Sequence, residues 1–529
     1  MKVMEKQILE EQKIDNQYDV VVIGAGNGGL TAAAKLAKEG AKVLLLEQHN
    51  LPGGFATSFV RGRFEFEASL HELADYGPKS DKGGIRKLFE DQFHLDAEFI
   101  RIPEAYKLIL TDPKYKMNIT LPFGLEKYID AIEKEVPGSR ESITKFFELA
   151  KEIRAAFRYI ASTHGKPDQG VLMKEYTNFL KTAAYSAKEV EDALGIPEDA
   201  RKILNAYWCY LGLPMSRINF TLFASMVLVY ITKGAYIPRY RSHGYTAAFD
   251  TKIREYGGDI FYNTKTEKIL VKNRQVVGIE TSKGDKITTS HIICNASPTL
   301  AYNQLIFPKS EVPEFAYKEV NARIQGLTGF CVFLGLDATV EELGLREYSY
   351  FIMDDMDTEA VYESWKKLEA PRGQATVVIN NAIPDCSPPG TTMMYITTLF
   401  HPDAWKEVKP QDYVEVKNKI AEKLIDHFEE ATGAPVKDHI EEIEIATPET
   451  YARYTGTYKG IIYGYEPESW DSLVPRLMSM GKDQYIIGLR FAGGFGRRAH
   501  GYSSSMSDGY TVALLTLQDI KKEVNQIYE

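Results

Sequence analysis

One short stretch limits the possible folds of this chain more than any other. It reads VVVIGAGNGGLTAAAKLAKEGAKVLLLE and runs from Val20 to Glu47. Its first residues are apolar and mostly β-branched, which is typical of a buried parallel strand. A glycine-rich turn follows, and the Ala- and Leu-rich segment after it predicts a helix that ends near Gly40. The order of strand, glycine turn, helix, strand and acid predicts a βαβ unit that binds a dinucleotide.

The turn itself, GAGNGG, matches the pattern GxGxxG, and each part of it has a physical role. Gly24 permits a tight turn, Gly26 lets the backbone approach a pyrophosphate, and Gly29 lets the helix pack closely on the strand. The helix N-terminus carries a partial positive charge that favours phosphate. Glu47, at the end of the second strand, is placed to bind ribose hydroxyls. The predicted cofactor contacts of this unit are Gly24, Ala25, Gly26, Asn27, Gly29, Glu47 and Gln48.

Length and composition indicate a multidomain globular protein. The chain has 529 residues, which is more than one hydrophobic core of ~250–300 residues supports. Its net charge of −10 argues against nucleic acid as a partner. Its four cysteines lie far apart without a CxxC pair, so we expect free thiols and no metal site. The charged N-terminus lacks the apolar run of a secretory signal, and we expect a short surface extension there.

The longest apolar segment is INFTLFASMVLVYI, from Ile218 to Ile231. It is shorter than the ~20 residues that span a bilayer, and it carries Asn219, Thr221 and Ser225. Two interpretations stay open: a buried core helix, or a helix that lines a tunnel for a lipid or dips into a membrane face. We therefore expect a cytoplasmic protein, with peripheral membrane contact as an open alternative.

Further segments carry strand and helix patterns in a recognisable order. The segment GYTAAFDTKIREYGGDI predicts a helix, and the segments TEKILV, QVVGIET and DKITTSHIICNA predict a three-stranded meander after it. The C-terminal segment predicts a strand, a glycine loop and a long helix. Residues 110–234 look mostly helical, whereas residues 325–470 carry three strands and an amphipathic helix. No second GxGxxG follows a strand, so a built-in NAD(P) domain is not expected.

Three motifs give the chain a resemblance to a known family. They are PGGFATSF continuing into VRGRFEFEASLHEL, the segment TPETYARYTGTYKGIIYG, and the C-terminal loop FAGGFGRRAHGY. In these motifs the chain resembles the FAD-dependent oxidoreductases of the phytoene desaturase, carotene isomerase and retinol saturase family. The resemblance implies an α/β fold with a Rossmann-like FAD-binding domain of the glutathione-reductase type, formed by residues 15–95, 235–300 and 470–529. It assigns residues 96–234 and 301–469 to a discontinuous α+β substrate domain with a helical lid.

The same resemblance implies further contacts to FAD. A paired-glycine motif passes close to the diphosphate, the first meander strand lies near the adenine, and the C-terminal loop faces the isoalloxazine. The residues at these positions are Gly53, Gly54, Thr57, Ser58, Ile269, Gly493, Gly494, Gly501 and Tyr502. Many relatives carry an acid where this chain has Gly494, so another group must make that contact.

The chemistry that the resemblance implies is hydride exchange with flavin N5. It would saturate, desaturate or isomerise a C–C double bond of a polyene, isoprenoid or other lipid-like substrate, with an external electron donor or acceptor that the sequence does not identify. His71 matches a histidine of the saturase and isomerase branches and is a candidate proton donor. Arg497 and Arg498 are candidates to stabilise reduced flavin or bind a carboxylate. A structural histidine and a solvated arginine pair are the alternatives.

Two other functions share this fold and stay open. The first is a flavin amine oxidase, which acts on a C–N bond. The second is a non-enzymatic escort for prenyl or lipid groups, similar to the Rab GDP-dissociation inhibitors, which do not use flavin. Glu47 together with the three glycine motifs favours FAD binding over the escort.

Overall fold

A computed structural model describes residues 14–163, 165–369, 372–479, 484–496 and 500–528. The α-helices of five residues or more are α1 Asn27–Lys38, α2 Leu125–Glu135, α3 Arg140–Ser162, α4 Gln169–Glu175, α5 Thr177–Thr182, α6 Ala187–Ala193, α7 Glu198–Leu204, α8 Phe220–Lys233, α9 Arg241–Glu255, α10 Glu314–Ala322, α11 Thr358–Ser364, α12 Tyr413–Thr432, α13 Pro448–Thr455, α14 Leu473–Met478 and α15 Tyr502–Tyr528. The strands are β1 Val20–Ile23, β2 Val43–Leu46, β3 Ser58–Arg61, β4 Phe64–Glu67, β5 Phe99–Arg101, β6 Tyr106–Leu110, β7 Met117–Leu121, β8 Tyr236–Pro238, β9 Asp259–Phe261, β10 Thr266–Lys272, β11 Gln275–Thr281, β12 Lys286–Thr288, β13 His291–Cys294, β14 Ile306–Phe307, β15 Thr328–Leu336, β16 Ser349–Met353, β17 Gly373–Val378, β18 Thr392–Phe400, β19 Ile440–Ala446 and β20 Leu489–Phe491.

A five-stranded parallel sheet in the order β20-β13-β1-β2-β9 forms the first layer. The predicted βαβ unit is confirmed, because β1, α1 and β2 follow one another and β1 pairs in parallel with β2. Both strands are buried along their whole length, as their apolar sequences predict. The sheet collects strands from three separated parts of the chain, and its carboxyl edge therefore brings distant loops together.

The predicted meander is also present and is larger than expected. β10, β11 and β12 form antiparallel pairs, and the two-residue strand β14 adds to β10 in parallel. Ala316 and Val320 of α10 pack in the same core as Ile269 of β10. The structure therefore adds β14 and α10 to the predicted meander, and α10 supplies an apolar face of its core.

A seven-stranded sheet in the order β19-β15-β18-β17-β16-β6-β7 forms the second layer. The three strands predicted between residues 325 and 470 are β15, β17 and β18, and the predicted amphipathic helix is α12. Ile420, Leu424 and Phe428 of α12 pack on one face of this sheet. The helices between residues 125 and 233 pack on its other face.

Helix α8 contains the longest apolar segment, and it lies in the interior. Most of its residues are buried in the core that the helices share with the second sheet. The interpretation as a core helix is thus favoured over a helix that dips into a membrane. Among the residues that the structure describes, none of the helices combines the length and the apolar character that crossing a bilayer requires.

Candidate active site

One cavity of about 500 Å³ joins the carboxyl edge of the parallel sheet to the helical face of the second sheet. A volume of this size is typical of a small-molecule site. Of the residues that the sequence singles out, the cavity is lined by Gly24, Gly26, Asn27, Glu47, Gln48, Gly53, Gly54, His71, Gly493, Gly494, Gly501 and Tyr502. The fold therefore brings together four segments that are far apart in the sequence.

The glycine turn after β1 has the geometry that its sequence requires. Gly24 has φ of +91°, which is in the left-handed region that favours glycine. A Cβ atom at Gly29 would lie 1.9 Å from the carbonyl oxygen of Gly24, so the first turn of α1 can close on the loop only without one. Gly53 donates its backbone N–H to the carbonyl oxygen of Ala25 at 2.7 Å. The second glycine motif thus lies directly against the first.

Glu47 ends β2 at the edge of the cavity and is 8% exposed. Its carboxylate accepts hydrogen bonds from the backbone N–H groups of Ala25, at 2.7 Å, and His49, at 2.8 Å. Burial raises the pKa of Glu47, and these two hydrogen bonds oppose that rise. Glu47 therefore fixes the glycine loop in addition to facing the cavity.

The last glycine motif contacts the first one through backbone atoms. A Cβ atom at Gly28 would lie 2.7 Å from the Cα of Gly493, and one at Gly509 would lie 2.1 Å from the carbonyl oxygen of Gly28. The N-terminus of α15, residues 501–505, lines the cavity, and its first turn carries no acidic residue. Two helix N-termini, of α1 and α15, are thereby available to negative charge.

The glycine loop that contains Gly494 is held by a contact from α15. Asp508 is fully buried, and its carboxylate accepts a hydrogen bond from the backbone N–H of Gly493 at 3.2 Å. Asp508 of α15 therefore stabilises the glycine loop through the backbone N–H of Gly493.

Some predicted contacts lie away from the cavity. Thr57 and Ser58 do not line it, because they lead into the β3–β4 hairpin, where the Ser58 hydroxyl donates to Glu65. Ile269 is buried in the meander core, and the cavity reaches this strand at residues 264–266 instead. Ala25 and Gly29 shape the glycine loop without lining the cavity. Arg497 and Arg498 lie outside the described residues.

His71 faces the cavity from the irregular segment after β4. Its Nε2 lies 3.0 Å from the hydroxyl oxygen of Thr397, and that hydroxyl donates to the sulfur of Cys331 at 3.3 Å. The Thr397 hydroxyl oxygen therefore accepts a hydrogen bond from Nε2–H of His71, and Nδ1 is the unprotonated nitrogen of the ring. Nδ1 has no hydrogen-bond partner among the described residues. Burial lowers the pKa of His71 to about 4. A neutral imidazole whose only N–H is engaged is a hydrogen-bond acceptor and a poor proton donor.

A second histidine lines the cavity beside the C-terminal loop. The ring of His500 stacks on that of Tyr463, with centroids 4.3 Å apart and planes inclined by 4°. Its Nε2 donates to the carbonyl oxygen of Tyr210 at 2.8 Å. Burial lowers its pKa to about 4, so this ring is also neutral at neutral pH.

Sequence reasoning missed the acid next to His71. Glu72 lines the cavity and is 6% exposed. One carboxyl oxygen accepts from the Ser349 hydroxyl at 2.8 Å, and the other from the Tyr207 hydroxyl at 3.4 Å. Burial, together with the negative charge of Glu104, raises the pKa of Glu72 to about 8. The sequence offers no signal for this environment, because its members come from four distant segments.

The part of the cavity beyond His71 has mainly apolar and aromatic walls. Its walls include Leu222, Met226 and Tyr230 of α8 together with Met353 and Trp365. These walls favour a lipophilic molecule. The site thus joins a backbone-lined nucleotide end to an apolar chamber.

Comparison with known proteins agrees with this arrangement. A family model described as an NAD(P)-binding Rossmann-like domain matches residues 22–89. An all-trans-retinol 13,14-reductase of Danio rerio is 23% identical over 485 residues, covering 87% of this chain and 79% of that protein. A chloroplastic prolycopene isomerase of Daucus carota is 25% identical over 466 residues, covering 85% of this chain and 72% of that protein. These similarities confirm the predicted resemblance to the desaturase, isomerase and saturase family.

A solved structure shares the whole architecture at low identity. The crystal structure of a putrescine oxidase bound to putrescine superposes with a TM-score of 0.63 at 12% identity, covering 94% of this chain and 98% of that one. This likeness shows the fold, and the predicted fold class is confirmed.

Proposed function

We propose that this chain is an FAD-dependent oxidoreductase that saturates, desaturates or isomerises a C–C double bond of a lipophilic polyene. The observation that carries the proposal is the single cavity that joins the nucleotide end to the apolar chamber. The similarity to a retinol reductase and a carotenoid isomerase supports the same class of bond.

The residues at the nucleotide end fit FAD. The glycine turn and the N-terminus of α1 would hold the pyrophosphate, because no Cβ atom or acidic first-turn residue stands in the way. Glu47 would accept hydrogen bonds from the adenosine ribose. Gly493, Gly494 and the N-terminus of α15 would face the flavin ring and stabilise its reduced, anionic form. When bound, FAD supplies hydride exchange at N5.

The apolar chamber fits a polyene better than a charged amine. Among the described residues that line the cavity, the carboxyl groups are Glu47 and Glu72. Glu47 is bound to the glycine loop, and the pKa of Glu72 is raised to about 8, so neither offers a free negative charge to an ammonium group. The walls orient an extended molecule and exclude water, which is what hydride exchange with an unactivated carbon needs.

The test begins with the cofactor and continues with two substrate classes. We expect the purified protein to be yellow and to release FAD on denaturation; a colourless protein without nucleotide would favour the lipid escort. Under anaerobic conditions, the reduced protein is mixed with all-trans-retinol and with prolycopene, and the oxidised protein with putrescine. We expect flavin reoxidation or polyene isomerisation in the first experiment. If putrescine bleaches the flavin absorbance of the oxidised protein and neither polyene reacts, the protein would instead be an amine oxidase.

A further inference from the structure

Glu72 is a buried acid without a cationic partner. No cationic side chain is among the described groups that shift its pKa, and the groups that hydrogen-bond to it are the neutral hydroxyls of Ser349, Tyr207 and Tyr210. A buried carboxylate without a counter-charge is costly, whereas a carboxylic acid in the same place is not. The environment therefore holds the side chain in its protonated form, with a pKa of about 8.

Tyr210 also lines the cavity, close to this acid. Its ring centroid is 6.2 Å from that of His71 and 5.6 Å from that of Phe351. Its buried hydroxyl lies near enough to the Glu72 carboxyl to lower the pKa of that acid as a hydrogen-bond donor does, and it has no other hydrogen-bond partner among the described residues. A hydroxyl beside a protonated acid can pass a proton between the acid and a bound molecule.

We propose that Glu72, assisted by the Tyr210 hydroxyl, donates and accepts the proton of the reaction. This inference rests on the proposed function. In the saturating direction, the O–H bond of Glu72 breaks and its proton forms a C–H bond at one alkene carbon. The second C–H bond would form with a hydride that FAD supplies when it is bound and reduced, so that the π bond is lost and a carboxylate remains on Glu72. Desaturation is the reverse, with Glu72 as the base.

In this proposal, His71, the proton donor predicted from the sequence, does not transfer the proton. Its one N–H is bound to Thr397, and burial keeps the ring neutral. It therefore orients the substrate or the segment that carries Glu72. The backbone carbonyl of His71 accepts from the Tyr348 hydroxyl at 2.7 Å, which fixes that segment on the second sheet.

Burial raises the pKa of each titratable group that faces Glu72. These groups are Glu104, Tyr106, Tyr207, Cys209, Tyr210, Tyr230 and Tyr348. The pKa of each of the five tyrosines is raised well above 10 and that of Cys209 to about 12, so these groups stay protonated near pH 8. Burial also raises the pKa of Glu104, and the hydrogen bonds that it accepts from the backbone N–H groups of Tyr348 and Ser349 oppose that rise.

The test compares Glu72→Gln with Glu67→Gln in the FAD-loaded protein. Glu67 is a matched control, because it is also a buried acid, with a pKa raised to about 7, but it lies outside this cavity. Infrared spectroscopy of the wild type should show a carboxylic C=O band that titrates near pH 8 and is lost only in Glu72→Gln. In the reaction of reduced protein with all-trans-retinol, Glu72→Gln should react about 10²–10⁴-fold more slowly.

The results separate this inference from the proposed function. The wild-type rate should fall above about pH 8, and the residual rate of Glu72→Gln should not. A wild type that reacts with all-trans-retinol while Glu72→Gln keeps its rate and pH profile would overturn the role of Glu72. The role of Glu72 would also be overturned if the infrared spectrum of the wild type showed no carboxylic C=O band that titrates near pH 8. This measurement requires no variant. A wild type that reacts with no polyene would refute the proposed function itself, and with it this inference.

Discussion

Gly509→Ala tests the contact between the first and last glycine motifs. In an ordinary helix, replacing glycine by alanine stabilises the protein by about 0.5–1 kcal/mol. Here the new Cβ would lie 2.1 Å from the carbonyl oxygen of Gly28. Since both sides of this contact are helix backbone, α15 must move away from α1 by about 1 Å.

The size of the effect follows from this overlap. Overpacking of this kind costs about 1–3 kcal/mol, and we take the upper end because no flexible side chain can yield. When the gain in helix propensity is subtracted, the free energy of unfolding should fall by about 2 kcal/mol. For a domain of about 150–250 residues, this change lowers Tm by about 4–8 °C. The displaced N-terminus of α15 would also weaken flavin binding about 2–5-fold, the equivalent of about 0.3–1 kcal/mol.

The assay is thermal unfolding followed by flavin fluorescence, with titration of the apoprotein by FAD. Gly170→Ala is the matched control, because Gly170 lies in the exposed helix α4 and its nearest contact, at 3.1 Å, is the side chain of Asp168. The control should keep or raise Tm. A Gly509→Ala variant that is as stable as the wild type and binds FAD equally well would refute the reasoning.

Three further changes test other parts of the site. Glu47→Gln should raise the Kd for FAD about 10–150-fold, the equivalent of about 1.5–3 kcal/mol for a lost charge-assisted hydrogen bond, and unchanged affinity would exclude the ribose contact. Because burial lowers the pKa of His71 from 6.5 to about 4, the unfolded chain takes up its proton first, and stability falls as pH drops through that range. Plots of Tm against pH should be less steep there for His71→Gln, and equal slopes would contradict the burial of a neutral ring. Val227→Asp should abolish folding because Val227 is fully buried, and a folded Val227→Asp protein would contradict its position in the core. Met226→Trp should still bind FAD and slow only the polyene reaction, because Met226 lines the cavity.

Local patterns were sufficient to predict the nucleotide-binding unit. The β1–α1–β2 order, the meander strands and α12 all follow from hydrophobic period and turn residues within short windows. The strand β14 was missed because two residues carry no periodic signal.

The chemistry of the apolar chamber depends on long-range contacts that a sequence does not display. His71 and Glu72 are neighbours in the chain, yet burial lowers the pKa of one and raises that of the other. Burial decides which of them holds a proton, and their hydrogen-bond partners Thr397 and Ser349 come from strands more than 250 residues away. Sequence reasoning named His71 as the proton donor, whereas the environment of Glu72 could be described only from the fold.

The most direct test of the central claim is the transfer of hydrogen to carbon. The FAD-loaded protein is reduced anaerobically in D₂O and mixed with all-trans-retinol or prolycopene, and the recovered polyene is analysed by mass spectrometry. We predict carbon-bound deuterium in the polyene, with two added atoms where the bond is saturated and reoxidation of the flavin at the same rate. A polyene recovered without carbon-bound deuterium and with unchanged geometry, beside flavin that stays reduced, would contradict the account.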